Sequence, residues 1–286
     1  MNHFIELTRL KKPIGYMLLF WPCAWGLTLA YDFSNNLNLY IFYLILFFLG
    51  SVLMRSAGCI INDIADKDFD KKVKRTKYRP ITSGKVSVKL GLIYTSILCL
   101  LALLILVNFN WYTIILALGS MPLAFSYPLL KRFTYWPQLF LGITFNYGLI
   151  LGWTSIKGDV DIIPITLYLG AIFWTLAYDT IYGFQDIKDD EIIGIKSTSI
   201  KFKKNPKLFL LLCYSLFIVS LLTLGILMSF SYMFYFFILF SVAHLFFYQL
   251  YNFNFKSPKN CLKIFKSNNF LGLIILINLI IGKIFF

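Results

Sequence analysis

The stretch LGLIYTSILCLLALLILVNFNWYTIILALGSMPLAFSYPLL, residues 90–130, contains no Asp, Glu, Lys or Arg. A helix needs about 20 apolar residues to cross the hydrocarbon core of a bilayer, so this stretch is long enough to cross it twice. Residues 108–111, Asn-Phe-Asn-Trp, interrupt the run with polar side chains, and Trp favours the membrane interface. The run therefore predicts two membrane-spanning helices joined by a short turn.

Uncharged runs recur along the chain of 286 residues, of which 59% are hydrophobic and only 14% charged. Residues 208–255 are again long enough for two crossings, with a polar break at 229–232. The fold class predicted is an all-α integral membrane protein, a bundle of nine transmembrane helices with Asp-rich cytoplasmic loops, in a single domain over residues 1–286. The predicted spans are approximately 13–31, 39–62, 88–107, 111–130, 135–156, 163–184, 207–228, 232–251 and 268–286.

The basic residues predict the orientation of these spans. If the nine spans alternate, 24 of the 27 Lys and Arg residues fall on the face that carries the N-terminus. Basic loops stay in the cytoplasm, so we expect the N-terminus and the Asp-rich loops to be cytoplasmic and the C-terminus to lie across an inner (cytoplasmic) membrane. Basic residues that lie next to the membrane, beside anionic lipid headgroups, account for the net charge of +14. The chain has no basic soluble domain that would bind a nucleic acid, so no nucleic-acid partner is predicted.

Nine of the thirteen acidic residues form two clusters on that same predicted face. The clusters are Asp63, Asp66, Asp68 and Asp70 after the second span, and Asp179, Asp186, Asp189, Asp190 and Glu191 after the sixth. In the first cluster a spacing of four residues places Asn62, Asp66 and Asp70 on one stripe of a helix. Arg55 extends that stripe into the membrane.

The second cluster has a similar pattern. Asp179, Asp186 and Asp190 lie at positions i, i+7 and i+11, within about 20° of a common line on a helix, and Tyr182 lies on their flank. Both clusters end a span on the same face, so we expect the two rows of carboxylates to meet across the bundle.

Carboxylates that lie so close together repel each other, and a divalent cation would compensate them. Oxygen ligands without nearby His or Cys favour Mg²⁺, which takes one or two carboxylates and completes its shell with water and substrate phosphates. Many basic residues near the clusters could cover the outer phosphate oxygens. They are Lys71, Lys72, Arg75, Lys77, Arg79, Lys131, Arg132, Lys188 and Lys196. The pattern predicts a diphosphate held by Mg²⁺ on one side and by cations on the other.

Two simpler interpretations of the acidic residues exist. The acids and bases could pair with each other in a solvated loop, although two matching clusters on one face make this less attractive than it would be for one. The spacing of Asp66, Asp68 and Asp70 also imitates the start of an EF-hand, but Lys71 stands where the turn glycine belongs and no Glu follows at the twelfth position.

A diphosphate at the cytoplasmic mouth of a membrane bundle indicates a lipid substrate whose tail lies among the helices. Metal coordination would make the diphosphate a better leaving group, because it neutralises the charge that develops as the C–O bond breaks. With an allylic prenyl tail the product of ionisation is a carbocation, so the acceptor must be an electron-rich nucleophile and the cavity must exclude water.

These residues carry a family resemblance that covers nearly the whole chain. The chain resembles the UbiA superfamily of intramembrane prenyltransferases and, within it, the 4-hydroxybenzoate polyprenyltransferases of ubiquinone biosynthesis. The matching stretches are RLKKPIGYMLLFWPCAWG (9–26), LMRSAGCIINDIADKDFDKKVKRTKYRPITSG (53–84), YPLLKRFTYWPQLFLG (127–142), AYDTIYGFQDIKDDEIIGIKSTSIKF (177–202) and NNFLGLIILINL (268–279). Lys11 departs from the Asp that the family often has before Lys-Pro-Ile-Gly.

The resemblance implies a nine-helix bundle with a lateral opening to lipid, and Mg²⁺ as the cofactor. Its metal motifs match Asn62, Asp66, Asp70, Asp186 and Asp190, of which the four aspartates are the implied catalytic residues. Asp179 would support this site. Tyr127 and Lys131 fall where family members contact the diphosphate, and Arg9 and Arg132 match positions that hold phosphate or the benzoate carboxylate.

Two residues within the predicted spans each have two possible roles. Arg55 could bind the carboxylate of an aromatic acid or serve as a structural counter-ion to a carboxylate such as Asp179. His244 lies alone in an apolar span, where packing with a hydrogen bond is more common than ligand binding.

The predicted function is Mg²⁺-dependent transfer of a polyprenyl group from polyprenyl diphosphate to the ring carbon ortho to the hydroxyl of 4-hydroxybenzoate. The two substrates and the lipid bilayer are the predicted partners, without a protein partner. A related enzyme acting on a menaquinone, haem O or chlorophyll-type acceptor is the nearest alternative. A transporter is a weaker one, because transporters usually bind their cargo near the midplane and not at the ends of spans.

Overall fold

The computed structural model describes residues 2–284, except for the side chains of Tyr127 and Pro128. This part of the chain is helical and contains no strand, so the all-α fold class is confirmed. The helices are α1 (Asn2–Thr8), α2 (Ile14–Ala30), α3 (Leu37–Ala65), α4 (Lys67–Asp70), α5 (Val88–Leu106), α6 (Trp111–Ser126), α7 (Pro137–Lys157), α8 (Ile162–Gly183), α9 (Ile187–Ile193), α10 (Thr198–Lys201), α11 (Pro206–Leu227), α12 (Tyr232–Val242) and α13 (Pro258–Ile284), with a 3₁₀ helix at Tyr127–Arg132 and a π-helix at Ala243–Leu250.

Eight helical segments within residues 2–284 are long and apolar enough to cross a membrane, so the chain is a multi-pass membrane protein. They are α3, α5, α6 with the 3₁₀ helix, α7, α8, α11, α12 with the π-helix, and α13. The remaining predicted span corresponds to α2, an apolar helix of 17 residues that is shorter than the other eight. The number of nine crossings therefore stays a prediction.

The last helix is longer than the membrane span predicted within it. The predicted span starts at residue 268, whereas α13 begins at Pro258, and its first turns carry Lys259, Lys263 and Lys266. Lysine is a good helix former, so the charges mark where the helix leaves the apolar layer and not where it begins.

The centre of the bundle is a close contact between α2 and α7. A Cβ on Gly26 would lie 1.9 Å from the carbonyl oxygen of Leu149, and a Cβ on Gly152 would lie 2.3 Å from the carbonyl oxygen of Cys23. Helices gain little hydrophobic free energy from association in lipid, so such close approach of backbones supplies van der Waals attraction instead. The α2–α7 pair also contacts α3, α8 and α13, which places it inside the bundle.

Contacts at the chain termini distinguish the two ends of the bundle. Arg9, which follows α1, donates a hydrogen bond to Asp63 in the last turns of α3. Lys283, near the end of α13, donates to the carbonyl oxygen of Leu29 at the end of α2. Since α2 and α3 are antiparallel neighbours, the segment after α1 and the first acidic cluster share one end of the bundle, and the end of α13 lies at the other.

Candidate active site

The first acidic cluster lies where α3 ends and the four-residue α4 begins. The amide of Asp66 donates to the carbonyl oxygen of Asn62 at 2.9 Å, and the amide of Asp70 donates to that of Asp66 at 2.8 Å. These are i to i+4 bonds on either side of Asp66, whose ψ of 4° is not helical, so α3 and α4 are separate helices that meet at this residue. Asn62 and Asp66 lie one turn apart at the end of α3, as their spacing predicts, and Asp70 lies one turn further along the chain at the end of α4.

The second cluster is arranged differently from the prediction. Helix α8 ends at Gly183, and Asp186 is the residue directly before the separate helix α9. Asp186 and Asp190 lie one turn apart, because the amide of Asp190 donates to the carbonyl oxygen of Asp186 at 2.9 Å. The break leaves Asp179 behind in α8, so the continuous stripe predicted from Asp179 to Asp190 is not formed. Helical periodicity does not extend across a change of helix axis.

The loop after α4 reaches across to the second cluster. The guanidinium group of Arg75 donates through Nε to both carboxylate oxygens of Asp186 at 2.9 Å, and through Nη1 to the hydroxyl of Tyr182 at 3.1 Å. One residue earlier, the amide of Lys74 donates to Asp189 at 3.2 Å. Bidentate pairing with a carboxylate fixes both the position and the orientation of an arginine. The two acidic clusters thus lie at the same end of the bundle, joined by this loop.

Lys131 interacts with aspartates of both acidic clusters. It lies in the 3₁₀ helix after α6 and forms an ion pair with Asp66, of which only 5% of the side chain is exposed. Its positive charge also acts on Asp190. One lysine from a third segment therefore pairs with an aspartate of the first cluster and acts electrostatically on an aspartate of the second.

Asp63 forms an ion-pair centre that the sequence pattern does not assign. Its Oδ1 accepts hydrogen bonds from Arg9 at 2.6 Å and from Arg79 at 3.0 Å, and Arg79 also donates to Asp70 at 2.7 Å. Only 2% of the Asp63 side chain is exposed. Asp63 lies off the stripe of Asn62 and Asp66, so the spacing argument does not include it, although an acid within the apolar end of a long helix is a local signal.

Each cluster contains a carboxylate whose surroundings disfavour its negative charge. Burial raises the pKa of Asp66 above its ordinary value, although Lys131 opposes the shift. Burial, followed by the negative charge of Asp186, raises the pKa of Asp190 to about 7. A cation placed between these groups would favour their ionised forms, so the arrangement suits the binding of positive charge.

Comparison with known proteins identifies the family to which this arrangement belongs. A model of the UbiA prenyltransferase family matches residues 19–274, most of the chain. The chain belongs to the UbiA prenyltransferase family. This UbiA chain is 42% identical over 282 residues to the mitochondrial 4-hydroxybenzoate polyprenyltransferase of Drosophila pseudoobscura pseudoobscura, covering 98% of the chain and 70% of that relative. It is also 42% identical to the human protein of the same name, covering 98% of the chain and 75% of that relative.

Solved structures have the same fold. A UbiA homologue from Aeropyrum pernix K1 has a TM-score of 0.77 and 22% identity, covering 94% of the UbiA chain and 98% of that structure. A UbiA homologue from Archaeoglobus fulgidus bound to GPP and Mg²⁺ has a TM-score of 0.69 and 18% identity, covering 97% and 99%. At these identities the likeness shows the fold, and it confirms the UbiA-type helical bundle.

Oxygen atoms able to hold a metal ion are present in this UbiA chain. Oδ1 of Asn62 and Oδ1 of Asp66 are buried, and neither has a hydrogen-bond partner in the described part of the chain. They lie one helical turn apart, and buried acceptors without partners are costly. Within residues 2–284 no three His, Cys, Asp or Glu side chains are grouped closely enough to form a metal centre alone.

The other predicted residues of the UbiA chain fall into different surroundings. Arg132 donates to the carbonyl oxygen of Ala65 at 2.7 Å and so caps the end of α3. Lys196 donates to the carbonyl oxygen of Phe133 at 3.2 Å, next to the segment that carries Lys131. Both contacts hold the site's segments together. Lys72 and Lys188 are exposed on the two acidic loops, and the side chain of Tyr127 lies outside the described residues.

Arg55 and Asp179 lie deeper in the bundle, where their charges interact. The guanidinium group of Arg55 lies 5.3 Å from the centre of the Phe145 ring. A Cβ on Gly15 would lie 2.7 Å from Nε of Arg55, so the absence of a side chain there makes room for the guanidinium group. Both interpretations of Arg55 are compatible with this position. His244 is buried and its Nδ1 lies 3.3 Å from Nε2 of Gln249, as expected for a hydrogen-bonded packing residue.

Proposed function

We propose that the chain transfers a polyprenyl group from polyprenyl diphosphate to the ring carbon ortho to the hydroxyl of 4-hydroxybenzoate, as a step in ubiquinone biosynthesis. The observation that carries this proposal is that two acidic clusters and Lys131 lie together at one end of a membrane bundle. The acceptor follows from the relatives named above, which are more than 40% identical over nearly the whole chain.

The acidic and basic groups would bind opposite sides of the diphosphate. We propose Asn62, Asp66, Asp70, Asp186 and Asp190 as the residues that hold Mg²⁺, with Asp66 and Asn62 supplying the two unpartnered oxygens. Bound Mg²⁺ would stabilise the negative charge that develops on the departing diphosphate. Lys131, Arg75 and Arg79 lie beside these carboxylates and would bind the outer phosphate oxygens through charge-assisted hydrogen bonds.

The interior beneath this site would hold the prenyl tail and the acceptor. Tyr182 contacts the ring of Phe265 with ring centres 4.5 Å apart, and Tyr178 contacts the same ring at 5.8 Å. Aromatic faces stabilise a carbocation and exclude water from it. Arg55, below the first cluster, is the proposed contact for the benzoate carboxylate, with Asp179 as its partner in the protein.

Enzyme assays in membranes test this function directly. Membranes that contain the chain, supplied with Mg²⁺, a polyprenyl diphosphate and labelled 4-hydroxybenzoate, are expected to yield a prenylated acid of the corresponding mass. Turnover only with a menaquinone, haem O or chlorophyll-type acceptor would move the chain to another branch of the family. Absence of product with every acceptor would leave the transporter alternative in place of an enzyme.

We further propose that the acidic end of the bundle faces the cytoplasm in an inner membrane and that α2 completes nine crossings. The 17 residues of α2 span about 25 Å at 1.5 Å per residue, close to the thickness of the hydrocarbon core. The concentration of basic residues on the loops near the acidic clusters supports this orientation. The relatives named mitochondrial are compatible with an inner membrane.

Thiol labelling tests the orientation. We expect a membrane-impermeant maleimide to label Ser83→Cys only in inverted vesicles and Asp159→Cys only in right-side-out vesicles. Both positions are exposed, and they lie at opposite ends of the bundle, after α4 and after α7. Unsubstituted protein is the control, because four of its five cysteines are buried and Cys99 is half-buried within a span. The reverse labelling pattern would contradict the proposed orientation.

Asp63→Asn is expected to raise the KM for polyprenyl diphosphate about tenfold while leaving the KM for 4-hydroxybenzoate nearly unchanged. The amide can still accept one hydrogen bond, but it lacks the charge that holds Arg79 beside Asp70, and a hydrogen bond to a charged group contributes about 1.5–3 kcal/mol. Steady-state kinetics with each substrate varied in turn measures this. The control is Thr113→Val, which removes a buried hydrogen bond to Thr154 elsewhere in the bundle. Equal changes in both KM values would show that Asp63 acts only on stability.

A further inference from the structure

The outer surface of α11 carries a groove that the proposed reaction does not use. Its first part, a cavity of about 480 Å³, lies between the start of α11 and the segment that follows the π-helix. Lys204, Lys207 and Lys256 line it, together with Asn205 and Asn254. All three lysines are exposed, and none forms an ion pair with another described residue. The cavity therefore presents three positive charges without an acidic neighbour among its lining residues.

The second part of the groove is apolar. It is a cavity of about 420 Å³ between α11 and the π-helix, lined by Leu208, Leu211, Phe247 and Tyr251, among others. Phe247 and Tyr251 are 73% and 79% exposed. Lys207 lines both parts, and its ammonium group lies 3.5 Å from the carbonyl oxygen of Tyr251, where the polar part meets the apolar part.

We propose that this groove is a binding site for an anionic phospholipid. Along the groove, charged residues are followed by apolar residues, as a charged headgroup is followed by acyl chains in a phospholipid. Lys204 and Lys256 would face the headgroup, and Lys207 would bind the phosphate. The Leu and Phe side chains would contact an acyl chain. Basic pockets between transmembrane helices at the cytoplasmic side bind anionic headgroups in this way. The site is separate from the candidate active site, because no carboxylate that could share a Mg²⁺ ion lines it.

Native mass spectrometry of the purified full chain in neutral detergent tests this site. Phosphatidylglycerol is expected to bind one to one at concentrations where phosphatidylcholine with the same acyl chains does not. Lys204→Gln with Lys207→Gln is expected to weaken phosphatidylglycerol binding about 30-fold, since each lysine near a lipid surface contributes roughly 1 kcal/mol. Lys85→Gln with Lys89→Gln removes the same charge from exposed residues outside the groove and is expected to change binding less than twofold.

Three results would overturn the site. Equal binding of the two lipids would show that no anionic headgroup is recognised, and equal losses in the two double variants would show a general effect of positive charge. Displacement of the lipid by millimolar inorganic phosphate would show that the cavity binds the phosphate alone. The assay does not depend on prenyl transfer, so its outcome is separate from that of the proposed function.

Discussion

Asp66→Ala is expected to lower the rate of prenyl transfer about 1,000-fold or more and to weaken Mg²⁺ binding. Asp66 offers one buried oxygen without a partner and pairs through the other with Lys131, so it supplies both a metal ligand and the counter-ion of a phosphate-binding lysine. Removing a single charge-stabilising group from an active site costs 10²–10³ in rate, and loss of a shared metal site costs more. Product formation in membranes measures the rate, and titration of the purified protein with Mg²⁺ and an unreactive diphosphate measures binding.

A matched control lies two residues away. Asp68 belongs to the same acidic segment, but 88% of its side chain is exposed and its partner is the neighbouring Lys71. Asp68→Ala removes the same charge and is expected to keep activity within about twofold, because exposed ion pairs contribute little. If Asp66→Ala retained wild-type activity, or if both variants lost activity equally, the proposed metal site would be wrong.

Lys131→Met is expected to lower the rate about 100-fold and to raise the KM for polyprenyl diphosphate, with little change in the KM for 4-hydroxybenzoate. The lysine pairs with Asp66 and acts on Asp190, and it is the proposed ligand of the outer phosphate oxygens. Its charge lowers the pKa of both aspartates, so its removal is expected to raise those pKa values further. The acidic limb of the pH–rate profile should therefore move to higher pH.

Two further variants separate these effects from loss of folding. Lys131→Arg keeps the charge and is expected to restore a large part of the rate. Lys85→Met removes an exposed lysine from the loop before α5 and is expected to leave both KM values unchanged. An equal rise in the KM of both substrates, with no shift of the pH–rate profile, would show that Lys131 supports the fold without contacting the diphosphate.

Much of the fold follows from composition and spacing alone. The length of each uncharged run predicts a crossing because bilayer thickness sets the number of residues a helix needs, and α5 coincides with its predicted span within one residue. The common face of Asn62 and Asp66 follows as well, since helical geometry is local. The predicted span 163–184 ends close to Gly183, but the spacing of the aspartates did not reveal that α9 is a separate helix, because the position of Asp186 is set by a contact with the distant Arg75.

The sequence by itself determined the membrane-spanning helices, the common face of Asn62 and Asp66 and the presence of two acidic clusters, because these depend on residues only a few positions apart. Only the tertiary structure decided which charges meet. Arg75 and Asp186 are 111 residues apart in the chain, and Arg9 and Asp63 are 54 apart. A long side chain can reach any of several carboxylates, and the packing of distant helices selects the one with which it pairs.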